Sequence, residues 1–461
     1  MSSSLFNVLP LSKSMLSNLD SLNYHEMTPI QAESLPMILN GRDLIAKAKT
    51  GSGKTAAFGI GLLHHLKVDF YRVQSLVLCP TRELADQVAK ELRRLARATH
   101  NVKILTLCGG MPFGPQIGSL EHGAHIIVGT PGRIQEHLRK GTLELKDLSI
   151  LVLDEADRML DMGFEDSIQS IISQCPSQRQ TLLFSATYPD QIAKMASDYL
   201  SDPVEVTVES LHDQTRIAQN FYELEHTHEK YLLIERLLAH YQPESTVIFC
   251  HTKKDCQDLA DQLSNDGYSA LALHGDLEQR DRDQVLVRFS NRSCSILVAT
   301  DVAARGLDIK ALDVVINFEL PRDPEVYVHR IGRTGRAGHE GVALSLVTPA
   351  EGHRVNRIES LLGDTVKWDD GSRLNDQQSA FKEPPMVTLC IDGGKKNKIR
   401  PGDILGALTG EAGFKAEQIG KIDIFPFHSY VAVKRDLGKA ALKRLQDGKV
   451  KGRKVKVRMF R

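Results

Sequence analysis

At 461 residues the chain is too long for one ordinary hydrophobic core, so about three domains are expected. Lys+Arg and Asp+Glu both number 58, yet Met386–Arg461 holds 18 basic residues against 7 acidic, which puts a tail near +11 on a body near −11. No stretch approaches about 18 consecutive apolar residues, and no basic start precedes an apolar core, so a soluble, cytoplasmic protein without a spanning helix is expected.

The first periodic segment is MTPIQAESLPMIL, where Thr28, Pro29 and Gln31 read as the capped start of a helix. An apolar strand, Leu44 to Ala46, then runs into AKAKTGSGKT, and AAFGIGLLHHL follows as a helix. A glycine-bearing turn between a buried strand and a helix is the setting of a phosphate cradle. Gly51 and Gly53 free the backbone to aim N–H groups at phosphate oxygens, Lys54 reaches the β- and γ-phosphates, and the Thr55 hydroxyl is placed for Mg²⁺. Ala48 stands where the strict motif has its first glycine, so an ordinary strand-to-helix turn with an exposed lysine is the bland alternative. LVLDEAD, Leu151 to Asp157, argues against that alternative, because it sets carboxylates at the carboxyl end of a buried strand, where open α/β sheets bind ligands.

The runs LIAKA, SLVLCP, ILTLCGG, HIIVGTPGR, ILVLDEAD and TLLFSAT alternate with helical patterns. One such helix, ELADQVAKELRRLA, sets Leu84, Val88, Leu92 and Leu95 on one face. Alternation of this kind predicts an α/β domain with a mostly parallel sheet over residues 1–205. Ser201 to Ala218 is polar and reads as a linker. The pattern then restarts over 217–365 with STVIFCHT, a helix with Cys256, Leu259, Ala260 and Leu263 inside, SALALHG, SILVATD, DVVINFEL and GVALSLVTP. A polar tether is expected over 366–385. The order of patterns over 386–461 predicts a small β-α-β-β-α-β unit. The seven cysteines contain no C-x-x-C pair and sit in apolar runs, as buried free thiols would. No heptad run argues for assembly, so a monomer is expected.

MTPIQ, AKTGSGKT, PTRELA, Gly109-Gly110, TPGR, DEAD, SAT, Gln279 to Arg282, TDVAARGLD and HRIGRTGR occur in that order, and the chain resembles a DEAD-box RNA helicase. The resemblance implies two tandem RecA-like domains that close on ATP and RNA. It assigns adenine selection to Gln31 and Tyr24, with a core aromatic as the alternative for Tyr24. Triphosphate binding falls to Thr50, Gly51, Ser52, Gly53, Lys54 and Thr55. Asp154 would hold Mg²⁺ through its water shell, and Glu155 would orient and deprotonate the attacking water; two acids capping a helix are the alternative. Asp157, Ser185 and Thr187 would tie hydrolysis to closure, Arg333 and Arg336 would be arginine fingers, and Asp308 a ribose contact. A solvated basic face is the alternative for the arginines.

For RNA the resemblance implies Arg82, Gly110, Thr130 and Arg133 in the first domain and Thr252, Arg282 and Thr300 in the second, all backbone contacts carrying little sequence information. The tail resembles a divergent RNA-recognition motif with Tyr430 at a base-stacking position and Thr388 where a second aromatic is usual. Lys395, Lys396, Lys398 and Arg400 would contact RNA, unless they serve as a solubilising surface. Over its whole length the chain is similar to a bacterial branch of the family. That similarity implies local unwinding of short duplexes, targeted to a hairpin of large-subunit (23S-type) ribosomal RNA during large-subunit assembly. An ATP-gated RNA clamp without productive unwinding is the alternative function.

Overall fold

The computed structural model describes residues 5–48, 51–208, 217–304, 312–335, 341–371, 374, 382–410 and 413–460. The chain forms two compact units that divide near residue 211. In the first, β1 (Leu44–Lys47), β2 (Ser75–Leu78), β3 (Ile104–Leu107), β4 (Ile126–Gly129), β5 (Ile150–Asp154), β6 (Gln180–Ser185) and β7 (Val204–Thr207) form one parallel sheet in the order β3-β4-β2-β5-β6-β1-β7. Strands β2, β4, β5 and β6 are buried at every residue, which is why they read as continuous apolar runs. The helix Arg82–Leu95 starts at a Thr81 cap and buries Leu84, Val88, Leu92 and Leu95, as its periodicity requires.

In the second unit, β8 (Ile217–Glu223), β9 (Thr246–Cys250), β10 (Ala270–Leu273), β11 (Ile296–Thr300), β12 (Val314–Asn317), β13 (Gly341–Val347) and β14 (Trp368–Asp369) repeat that design. Their order, β10-β11-β9-β12-β13-β8-β14, is the first sheet's order with each strand number raised by seven. The fold is thus two RecA-like parallel sheets followed by a small antiparallel one. Two polar stretches depart from expectation. Ser201–Ala218 is strand at both ends, since β7 runs to Thr207 and β8 starts at Ile217, and the expected tether contains β14. Both β7 and β14 are sheet edges, half wet and short, so neither carries an apolar run.

The tail sheet, β15 (Met386–Ile391), β16 (Ile419–Ile424), β17 (Ser429–Lys434) and β18 (Val457–Met459), is antiparallel in the order β16-β17-β15-β18. One face covers a core of Leu389, Ile391, Ile404, Leu408, Val431, Val433 and Leu445 with the helices Pro401–Thr409 and Gly438–Asp447. The other face is closed within the same unit. Cys390 and Tyr430 pack on Val287 of the helix Gln279–Ser290, and the Thr388 hydroxyl lies 2.6 Å from Ser293 Oγ and accepts from Asn291 Nδ2 at 3.3 Å.

Candidate nucleotide and RNA sites

The cradle follows β1. Gly51 and Gly53 hold φ of 89° and 100°, conformations that L side chains resist, and Gly53 is doubly constrained. A Cβ there would lie 2.6 Å from Gln31 Nε2 and 2.8 Å from Thr28 Oγ1. That crowding comes from the capping box of the helix Pro29–Leu39: Thr28 N–H donates to Gln31 Oε1 at 2.9 Å, and Gln31 Nε2 donates to the Gly53 carbonyl at 3.1 Å. Gln31 therefore braces the cradle directly. Lys54 is buried and donates to the Ala48 carbonyl at 2.7 Å. Any residue supplies that carbonyl, so alanine in place of the usual glycine leaves the contact intact. Tyr24 is partly buried beside Phe6, and its hydroxyl donates to Glu91 at 2.8 Å. Thr50 lies outside the described residues.

Asp154 ends β5 at 3% exposure. Burial pushes its carboxyl up to about 7, Lys54 opposes the shift, and the adjacent Glu155 adds to it. Asp154 Oδ1 is buried without a hydrogen-bond partner, as is Ser52 Oγ in the cradle. An orphaned carboxylate oxygen near a lysine, with the Thr55 hydroxyl on the helix the cradle opens, is a donor set that fits Mg²⁺. Glu155 adopts φ 53° and is held by Arg158, whose Nη1 donates to Oε2 at 2.7 Å; both side chains are buried. Arg158 is absent from the sequence reading, although its i,i+3 spacing from Glu155 was a usable signal. Asp157 Oδ2 accepts from the N–H groups of Ala186 and Thr187 and from the Thr187 hydroxyl at 3.0–3.1 Å, so DEAD and SAT are physically joined.

The phosphate and metal candidates of the first unit, with the Asp157–Thr187 link, lie at or just after the ends of β1, β5 and β6, on one half of the sheet. Arg82, Gly110, Thr130 and Arg133 follow β2, β3 and β4, on the other half. Arg133 Nη1 donates to the Met111 carbonyl at 3.0 Å, and Thr130 N–H donates to Leu107 O at 3.2 Å, which ties the TPGR turn to the Gly109-Gly110 loop. A buried chain behind these loops is absent from the sequence reading. Thr142 Oγ1 meets His137 Nδ1 at 2.8 Å, His137 Nε2 meets Gln116 Oε1 at 2.9 Å, and Gln116 Nε2 donates to the Cys108 carbonyl at 3.1 Å. Burial lowers the His137 pKa to about 4, with the Arg133 charge adding to the effect.

In the second unit Thr252 caps the helix after β9, Thr300 ends β11, and Arg282 lies in the first turn of Gln279–Ser290, again on one half of the sheet. Arg330 and Arg333, which the sequence places three apart, have distinct settings. Arg330 is 2% exposed and grips both Asp301 oxygens at 2.6 and 2.7 Å, with Nη1 on Asn317 Oδ1 and Glu319 O at 2.9 and 2.7 Å. It is a structural pin. Arg333 lies in the turn after the helix Pro324–Ile331, with 9% exposure. Arg336 and Asp308 lie outside the described residues.

Comparison with known proteins accords with this geometry. Residues 28–195 match the DEAD/DEAH box helicase family, 229–338 the helicase conserved C-terminal domain, and 388–459 the DbpA RNA binding domain. The chain is 56% identical to the ATP-dependent RNA helicase DbpA of Escherichia coli over 99% of both chains, and 38% identical to that of Bacillus subtilis over 98% of both. It is a DEAD-box ATP-dependent RNA helicase of the DbpA type. Among solved structures, Saccharomyces cerevisiae Dbp5 bound to RNA and ADP BeF3 superposes with a TM-score of 0.73 at 30% identity, covering 80% of this chain and 96% of that one.

The RNA-binding domain of this helicase differs from expectation at Tyr430. Its ring is 2% exposed, flanked by Phe425 at 5.3 Å and Phe460 at 6.1 Å, and covered by Val287, so in this arrangement no base can stack on it. The sequence identifies the sheet face that Tyr430 occupies but carries no signal of what covers it. Lys395, Lys396, Lys398 and Arg400 are all exposed, at the end of the domain where β15 leaves the sheet. The helix Gln279–Ser290 thus carries Arg282 near its start and the covered tail face near its end.

Proposed function

We propose that this helicase is directed by its C-terminal domain to a hairpin of large-subunit (23S-type) ribosomal RNA, where it unwinds short neighbouring duplexes during large-subunit assembly. The observation carrying this reading is the basic RNA-binding domain seated on the second helicase domain, which keeps any RNA bound to the tail close to Arg282, Thr252 and Thr300. In the proposed chemistry Lys54 and the N–H groups of Thr50 to Gly53 bind the triphosphate, with Gln31 and Tyr24 selecting adenine. Glu155 orients and deprotonates water, while Arg333 and Arg336 act as fingers and Asp308 holds the ribose. Mg²⁺, held by Thr55 and by Asp154 through water, would neutralise charge on the β- and γ-phosphates. Arg82, Gly110, Thr130 and Arg133 complete the backbone track. The protein would act as a cytoplasmic monomer.

The test compares ATPase stimulation and labelled-duplex unwinding by a ribosomal hairpin substrate and a scrambled RNA at fixed salt, for the full chain and for one lacking 386–461. Strong preference by the full chain and weak, equal responses by the truncated chain are expected. An equal preference in both would move target choice into the helicase body, and hydrolysis without strand separation would establish the clamp.

A further inference from the structure

With the sheet face covered, the tail's free chemistry is at one end, where the loop after β15 meets the turn between β16 and β17. Those two segments are zipped by their backbones: Lys395 N–H donates to Phe425 O at 2.9 Å and Lys396 N–H to Pro426 O at 3.0 Å. Gly394 permits this approach, since a Cβ there would sit 2.1 Å from the Phe425 carbonyl oxygen. The turn itself is closed by Phe425 N–H donating to His428 O at 2.8 Å. On this fixed turn stands Phe427, 57% exposed, the one large hydrophobic side chain so exposed among the described residues of the tail. The Lys396 ammonium lies 4.4 Å from its ring centroid.

We propose that Phe427 is a stacking platform for one unpaired RNA base, with Lys395, Lys398 and Arg400 holding the flanking phosphates. The inference rests on the targeting role proposed above and names the residue that engages an open base. A lysine over one ring face leaves the other for a base, and cation–π polarisation favours the sandwich. The zipped loops hold ring and cations in place, so little ordering remains to be done on binding. Lys451 donates to the Lys398 carbonyl, which brings the KGRKVKVR segment to the same end and extends the positive surface. A fully paired helix offers no free base face, so the platform selects hairpin loops over stems.

The experiment measures equilibrium binding of the full chain to the ribosomal hairpin, to the same stem closed as a continuous duplex, and to scrambled RNA, at several salt concentrations. Phe427→Leu keeps the apolar bulk at an exposed position and is expected to weaken hairpin binding about tenfold, the effect of one stacked base, with duplex binding unchanged. Phe427→Trp is expected to restore it. Lys395→Gln should weaken all RNAs and lower the salt slope by about 1, which Phe427→Leu should not do. Wild-type affinity of Phe427→Leu for the hairpin, or an equal loss on the duplex, would overturn the platform. If the unaltered chain shows no preference for the hairpin over scrambled RNA, the targeting role fails, whatever Phe427 does.

Discussion

The two seven-stranded sheets share one strand order but carry opposite chemistry at equivalent places. After β1 the loop is a glycine cradle opening on Lys54. After β8, the equivalent strand, the loop instead satisfies itself, because Glu229 at the start of the helix Glu229–Tyr241 accepts from Glu225 N–H at 3.0 Å and His226 N–H at 3.1 Å. A side-chain carboxylate there occupies the N–H groups that a phosphate would take in the first sheet. After β5 come Asp154 and Glu155; near the end of β12 the Arg330 guanidinium is anchored. One RecA-like frame thus carries a candidate phosphate cradle and acids at its strand ends, and the other carries arginines. Two copies of a fold carry different chemistry because the residues at their strand ends differ, with the sheets left alone.

The contrast breaks most sharply at Glu155. Glu155→Gln should retain ATP binding and lose RNA-stimulated hydrolysis by about 10³-fold, within the range for a lost general base, whereas Lys54→Ala should lose ATP binding itself. Substantial turnover by Glu155→Gln, read by phosphate release, would remove the base assignment. Loss of an arginine finger is comparable, so if Arg333 has the proposed role, Arg333→Ala should lower RNA-stimulated kcat by about 10³-fold with the fold intact.

Arg330 separates structure from chemistry within the same motif. Its pairing with Asp301 is buried on the arginine side, and removal of one partner leaves the other's charge unmatched, at a cost of about 3 kcal/mol. Arg330→Met should therefore lower the denaturation midpoint of the second unit, and Arg330→Lys should not rescue it, since an ammonium cannot grip both carboxylate oxygens as the fork does. Equal thermal stability of Arg330→Met and Arg333→Ala would erase the distinction.

The first sheet was legible because its central strands are buried on both faces and so appear as apolar runs between helical patterns. Its candidate site was legible because phosphate chemistry needs glycines and a lysine at fixed spacing. What escaped notice lies where a residue's meaning depends on a partner distant in sequence. The edge strand β14 has no apolar signature, Tyr430 is covered by Val287 from another domain, and Arg330 is told from Arg333 by Asp301 and Asn317 alone. Gln116 and His137 belong to the same class, being ordinary polar residues until the fold joins them.

Those two residues offer the finest comparison, because each sheet places a His–Gln pair behind the loops proposed to contact RNA. In the first unit His137 and Gln116 brace the Gly109-Gly110 loop; in the second, His274 after β10 meets Gln257 Oε1 at 2.9 Å, on the helix that Thr252 caps. The first pair is the more deeply buried. Gln116 Nε2 is committed to the Cys108 carbonyl, so its Oε1 accepts from His137 Nε2–H, while the Thr142 hydroxyl donates to the His137 carbonyl at 3.1 Å; burial, ahead of hydrogen-bond direction, favours the neutral imidazole. Its folded pKa of about 4 lies below the unfolded value near 6.5, so this residue costs no stability above pH about 6.5. As pH falls toward about 4 the unfolded chain takes a proton that the folded one refuses, and stability declines across that window before levelling. His137→Gln removes the titrating group, so the drop in urea midpoint between pH 7 and pH 5 should shrink relative to the unaltered protein, whatever the variant's absolute stability. Gln116→Leu should instead raise KM for RNA a few-fold with KM for ATP unchanged, because it leaves the His137 N–H and the Cys108 carbonyl without partners beneath a loop proposed to contact RNA. An unchanged acid drop in His137→Gln would show that another group titrates, and an equal rise in both KM values would make the pair a general prop of the domain with no special part in RNA binding.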